Sequence, residues 1–339
     1  MGKLAKRFIS IVCLGITLYI IYKNIKPEII FTFNKEYFII GFIFMLLYSL
    51  LEAIVIKHIL KYVKIDKSIF SCYKYAVIGF FFSGITPFST GGQPMQIYYM
   101  EKEGNIPISH SSFTLILLIF CYRIIIGLFG ILGYIFKFDY LSNIFNNNQI
   151  WFLVAIIINI LNTAFWGILL FSHNLTNKMI NIVIKISYKI HDKLGKFTEE
   201  NLLKIFDSYK GCSKFLNKNL NIIFKMLFII IIQHILTFGV PFIVYKGLGL
   251  SGFPIFSMII LQSLLVVSSG YIPTPGSIAI SESLFLLMFK GYFSEDLIGN
   301  AMIISRTISL YLPLFIYGIF CSVWINNLPD KEKAKVLNF

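Results

Sequence analysis

Long apolar runs separated by short breaks fill this chain, and the breaks are of two kinds. Some carry lysines; two carry prolines and glycines. Runs near 6–22, 37–56, 113–136, 150–171, 222–245 and 297–325 each predict a helix of about 17 to 29 residues, enough to cross roughly 30 Å of hydrocarbon at about 1.5 Å per residue. Two further arms, 69–85 and 254–270, run straight into the Pro/Gly breaks. At 17 residues each they reach only about 25 Å, and their return arms, near 93–100 and 277–290, are shorter still. This pattern predicts re-entrant hairpins, whose loose backbone is tolerated at membrane depth only where protein or water covers it.

The first interruption reads Thr86-Pro87-Phe88-Ser89-Thr90-Gly91-Gly92-Gln93-Pro94-Met95-Gln96, and the second Pro273-Thr274-Pro275-Gly276-Ser277-Ile278-Ala279-Ile280-Ser281-Glu282. Each precedes a lone arginine within an apolar run: Gln93 to Arg123 is 30 residues, and so is Gly276 to Arg306. Broken segments in corresponding positions of two halves point to a transport site between them.

Charge orients the pattern. Lys57, Lys61, Lys64, Lys67 and Lys74 place the loop 57–74 on the cytoplasmic side, as nine lysines against four acids do for the connection 172–221. The connection 137–149, with only Lys137 and Asp139, suits the outside. These assignments agree if 69–100 enters and leaves on the cytoplasmic side and the second hairpin on the outer side, with Lys331, Lys333 and Lys335 of the tail inside. The expected architecture is an all-α polytopic membrane protein, one integral membrane domain over 1–339. It has about six full spans and two hairpins arranged as an inverted repeat, with half-repeats near 1–136 and 150–326. Within 172–221, Ile182, Ile186, Ile190 and Leu194 recur at helical spacing among Lys178, Lys185, Lys189 and Lys193, which predicts an amphipathic stretch on the inner leaflet. A solvated basic loop is the plainer alternative. Lys3, Lys6 and Arg7 precede the run Phe8 to Tyr22, which lacks a small-x-small cleavage site and reads as a retained anchor helix.

Composition agrees: 57% of the 339 residues are hydrophobic and 14% charged, with a mean hydropathy of +0.78. A soluble domain carries roughly a quarter charged residues. The formal charge of +14 sits in loops between apolar runs, which fits anionic lipid and topology rather than nucleic acid. The five cysteines, Cys13, Cys72, Cys121, Cys212 and Cys321, show no paired spacing and signal neither a disulfide framework nor a zinc site. HExxH, GxSxG, P-loop and paired intramembrane aspartates are all missing from the sequence.

Arg123 and Arg306 are the charges that most need explaining, because an uncompensated arginine at a helix centre costs on the order of 3 kcal/mol. Two readings stay open. Their guanidiniums together hold a phosphate, which suits the fork geometry; or they are structural, with Arg306 paired to Glu282. Glu282 is equally suited to a cationic headgroup or a coupling proton. Gly91, Gly92 and Gly276, with Pro273 and Pro275, allow sharp turns and close approach of a ligand, and the residues that follow open short helices whose amides suit an anion. Gln93, Gln96, Ser277 and Ser281 add neutral donors. Glu52, near Lys57 and His58, reads as interfacial and structural, and His234 as a packing residue. Gly127, Gly130 and Gly133 predict a close helix-packing face.

Together these residues resemble the lysylphosphatidylglycerol synthase transmembrane (flippase) family of bacterial integral membrane proteins. The resemblance rests on Thr86-Pro87 through Gly91-Gly92-Gln93-Pro94-Met95-Gln96, on Pro273-Thr274-Pro275-Gly276 with Glu282, and on Arg306 through Tyr311-Leu312-Pro313 to Gly318. The family often has further glycines where this chain has Ser277 and Ala279. Members include the membrane half of two-domain proteins in which a separate cytoplasmic domain transfers lysine from charged tRNA and the membrane half flips the product. The last predicted span ends near 325, so the resemblance implies the translocation half without lysyl transfer.

It implies a multi-pass protein of the bacterial cell membrane with both termini cytoplasmic, no cofactor, and an anionic or aminoacylated phospholipid, or a related phosphate-linked lipid, as substrate. Membrane lipids, a separate lipid-modifying enzyme and a homo-oligomer are the partners compatible with it; nucleic acid is not. Two alternatives remain: the membrane component of a phosphatidylglycerol lysyltransferase, linked to resistance against cationic peptides, and a non-transporting envelope scaffold.

Overall fold

The computed structural model describes residues 28, 33–146, 149–190, 206, 209–213, 216, 220–272 and 274–328. The protein is an all-α polytopic membrane protein, with no strand among the described residues. Among the described residues five helices are long and apolar enough to cross a membrane: Lys35–Tyr62, Ile108–Phe136, Ile150–Phe171, Asn221–Gly247 and Glu295–Asn326. They overlie five of the six expected spans; the sixth, 6–22, lies outside the described residues, as do Leu194 and the lysines of the tail.

In chain order the helices are α1 (Lys35–Tyr62), α2 (Ile69–Ile85), α3 (Gly92–Lys102), α4 (Ile108–Phe136), α5 (Phe138–Ile144), α6 (Ile150–Phe171), α7 (His173–Ile190), α8 (Asn221–Phe238), α9 (Val240–Gly247), α10 (Ile255–Ser269), α11 (Ile280–Met288), α12 (Glu295–Arg306) and α13 (Leu312–Asn326). Polar caps mark two of the starts: Asn34 accepts from Glu36 N, and Ser68 from Ser71 N. Between α12 and α13 the chain widens into a π turn, Thr307–Tyr311. Pro313 explains it, since proline has no N–H for the helical ladder and crowds the turn before it.

The glycine stripe of α4 is a packing face, as its spacing predicts. A Cβ at Gly127 would fall 2.5 Å from Asn159 Nδ2 of α6, one at Gly130 2.8 Å from Val267 Cγ2 of α10, and one at Gly133 3.0 Å from Ile260 O. The exterior is apolar: Trp151, Phe224, Phe228 and Phe315 are all exposed, as lipid contacts should be. Helix α7 carries Lys178, Lys185 and Lys189, with Ile182, Val183 and Ile186 exposed.

The two interruptions fold alike. Each follows an apolar helix, α2 or α10, and each turns at Thr-Pro-x-Ser. Thr86 (φ −108, ψ 144) and Thr274 (φ −115, ψ 143) are extended, as a residue before proline must be. Three-residue 3-10 turns follow at Pro87–Ser89 and Pro275–Ser277, and both end in a serine of positive φ: Ser89 at 54° and Ser277 at 55°. Return helices α3 and α11 complete the hairpins. The two turns touch one another, and the second also rests on α2, where a Cβ on Gly276 would lie 3.2 Å from Gly84 O.

Candidate functional site

Where the tips meet, α1, α2, α3 and α4 enclose a cavity of about 310 Å³. Its polar lining comes from Glu52 and Tyr48 of α1, Ser83 of α2, Gln93 and Gln96 of α3, Tyr122 of α4, and Ser89 and Ser277 of the two tips, with Gly276 beside them. Packing fixes this arrangement. Gly92 lets α3 fold back on α2, since a Cβ there would sit 2.5 Å from Gly79 O. The turn before it is pinned by Gly91 N donating to Thr86 Oγ1 (2.9 Å), while Thr86 Oγ1 donates to Phe82 O (2.6 Å).

Glu52 is 8% exposed and sits in this cavity rather than at the interface. The interfacial expectation fails because α1 runs on to Tyr62, burying Ile56, Ile59 and Leu60 after it and leaving Glu52 ten residues inside the helix end. Gln96, 3% exposed, donates from Nε2 to Glu52 Oε1 (3.3 Å) and to Tyr75 O (3.1 Å). Behind them Tyr122 OH donates to Gln233 Oε1 (2.8 Å), and Gln233 Nε2 donates to Tyr48 O (3.1 Å). Among the described residues no lysine, arginine or histidine lines the cavity, so its one ionisable acid lacks a cation. The signal in sequence was a polar stripe, Tyr48, Ser49 and Glu52, on one face of an apolar helix. His234 packs as expected, with Nδ1 at 2.9 Å from Ile230 O and its ring edge-on to Tyr122 and Phe238.

Neither arginine lines this cavity, and they do not converge on one another. Arg306 Nε donates to Glu282 Oε1 at 2.7 Å, with Glu282 fully buried. Arg306 Nη2 donates to Gly276 O (3.1 Å), Tyr311 OH to the same Glu282 oxygen (3.0 Å), and Ser281 Oγ to Glu282 Oε2 (3.0 Å). Of the two readings open for Arg306, the geometry is the pair. The 30-residue spacing is this contact: the arginine holds the tip glycine by its carbonyl. The wide π turn brings Arg306 and Tyr311, five apart, to one carboxylate oxygen.

Arg123 lies elsewhere, in a groove of about 480 Å³ between α4 and α6, lined also by Phe120, Gly127, Asn159, Thr163 and Gly167. Arg123 Nη1 donates to Tyr271 OH (3.3 Å), and its guanidinium lies 5.3 Å from the Tyr271 ring centre. Tyr271 OH donates to Asn159 Oδ1 (2.7 Å), and Asn159 Nδ2 returns a bond to Arg123 O (3.0 Å). Among the described residues Arg123 meets no carboxylate. Of the remaining expected site residues, Pro275 opens the second 3-10 turn, and Pro273 lies outside the described residues.

Sequence comparison adds a family to this geometry. Residues 6–316 match the family model described as the lysylphosphatidylglycerol synthase TM region. The chain belongs to this family. Both interruptions, Glu52, Arg123 and the Arg306–Glu282 pair all fall inside the match. The chain is also similar to the UPF0104 membrane protein MJ1595 of Methanocaldococcus jannaschii, at 24% identity over 342 residues that cover 95% of this chain and 94% of that protein. Ser277 and Ala279, where the resemblance leads one to expect glycine, have φ of 55° and 72°. Left-handed backbone is the reason glycine suits them.

Proposed function

We propose that this chain is a lipid transporter that passes the headgroup of an anionic or aminoacylated phospholipid through the cavity between the hairpin tips, by alternating access. The observation that carries the reading is the cavity itself: polar side chains from both interruptions and from α1 and α4 meet inside an otherwise apolar bundle. Such a path replaces a barrier that for a bare ion in hydrocarbon is of order tens of kcal/mol as an idealised bound. Glu52, an acid with no protein cation beside it, is suited to the ammonium of an aminoacylated headgroup. Gln93, Ser89 and Ser277 offer donors to its phosphate and ester oxygens.

The arginines take different parts in this account. Arg306 positions the second tip through Glu282 and Gly276 O and has no direct part in binding. Arg123 keeps unused N–H donors in a groove beside the lipid, where a phosphate would supply the anion it lacks. The expected phosphate clamp of two arginines is thereby replaced by one arginine at the flank and one acid at the centre. Leaflet exchange in proteoliposomes tests the reading: the wild-type chain should move a fluorescent phospholipid, and Glu52→Gln should slow the aminoacylated lipid more than the plain one. Equal rates for empty and protein-bearing vesicles with every anionic and aminoacylated lipid tried would reject it.

A further inference from the structure

Away from the cavity, α1 and α8 leave a second opening between them, a groove of about 320 Å³ at the lysine-rich end of the bundle. We infer that it is a resident site for one anionic phospholipid, bound by His58, Lys61 and Lys225, and separate from the transport path. The three basic side chains come from two helices, with Lys61 in the last turn of α1 and Lys225 five residues into α8. No acidic residue lines the groove among the described residues, and neither lysine has a carboxylate partner there. His58 is tethered by Nδ1 to Ile54 O at 2.8 Å, and its Nε2 has no partner among the described residues.

The rest of the groove favours a lipid over a free anion. Ile222 flanks the cations in the first turn of α8, and deeper along the helix the groove continues as Met226 and Ile229, an apolar seam. A phosphate at the basic end and an acyl chain along the seam satisfy both halves at once. Basic pockets between membrane helices at the lysine-rich face hold anionic headgroups on these grounds. The lysine excess that orients the chain continues in α7, whose exposed Lys178 and Lys185 lie outside this groove. Those lysines serve as the control, because they share the general attraction to an anionic surface but none of the seam.

The test is native mass spectrometry of the full chain in detergent, titrated with phosphatidylglycerol and, separately, phosphatidylcholine. A lysine near an anionic leaflet counts for about fivefold in binding, so Lys61→Ala with Lys225→Ala should weaken the tightest phosphatidylglycerol adduct about twenty-five-fold. Phosphatidylcholine binding should not change, nor should Lys178→Ala with Lys185→Ala weaken that adduct. Ile229→Trp, which narrows the seam below the cations and keeps every charge, should also weaken it. An adduct equally tight in the Lys61/Lys225 variant, or equally tight with phosphatidylcholine, would overturn the inference. So would loss of the adduct in the α7 control.

Discussion

Four charged residues of the helices are held in three ways: Arg306 and Glu282 pair with each other, Arg123 donates to Tyr271, and Glu52 accepts from Gln96. Arg306 and Glu282 are paired and buried, so removing one partner should cost about 3–5 kcal/mol by stranding the other charge. Glu282→Gln should therefore lower the thermal unfolding temperature in detergent markedly, and adding Arg306→Met should restore part of the loss. An unchanged midpoint for Glu282→Gln would mean that the pair does not hold the second tip. Ala279 adopts φ 72°, ψ −43°, outside the conformations that alanine prefers. Ala279→Gly should stabilise the protein by about 1 kcal/mol in the same assay. Which residue meets which could not be seen along the chain. Gln96 finds Glu52 44 residues away and Arg123 finds Tyr271 148 residues away, through helix rotation and hairpin docking that a linear pattern does not encode.

At the scale of elements, sequence and structure agree closely, because hydropathy and proline each act locally. A long apolar run has one stable form in lipid, since only a helix satisfies its own backbone there. Thr86-Pro87 stops α2 for a reason contained in the dipeptide, whereas α10 ends at Ser269, capped by Gly270, before it reaches Thr274-Pro275. The ends are less legible: α1 extends six residues beyond its expected limit at 56, because Lys57 and Lys61 lie on its outer side while Ile59 and Leu60 stay buried. The α4 stripe makes a testable contact. Gly130→Leu would push into Val267 of α10 and should destabilise by about 1–3 kcal/mol, read as the unfolding midpoint. The π turn makes another. Pro313→Ala allows a regular ladder through Thr307–Tyr311, and should reduce transport through loss of the Tyr311–Glu282 contact while lowering the midpoint less than Glu282→Gln does.

For the whole molecule, two hairpins with matched Thr-Pro-x-Ser tips meet beside one polar cavity inside an apolar bundle. The proposal that the tips move against one another predicts that linking them stops function. Ser89→Cys with Ser277→Cys, joined by a short bifunctional reagent, should abolish lipid exchange and regain it when the link is cleaved. The central claim, that the cavity passes a headgroup and that Glu52 recognises its ammonium, is tested most directly by one assay. Fluorescent phosphatidylglycerol and lysylphosphatidylglycerol would be followed between leaflets of proteoliposomes bearing wild-type, Glu52→Gln or Arg123→Ala protein. The account predicts exchange of lysylphosphatidylglycerol by the wild type, a selective loss for that lipid in Glu52→Gln, and a loss for both lipids in Arg123→Ala. Equal exchange of lysylphosphatidylglycerol by wild type and both variants would contradict it.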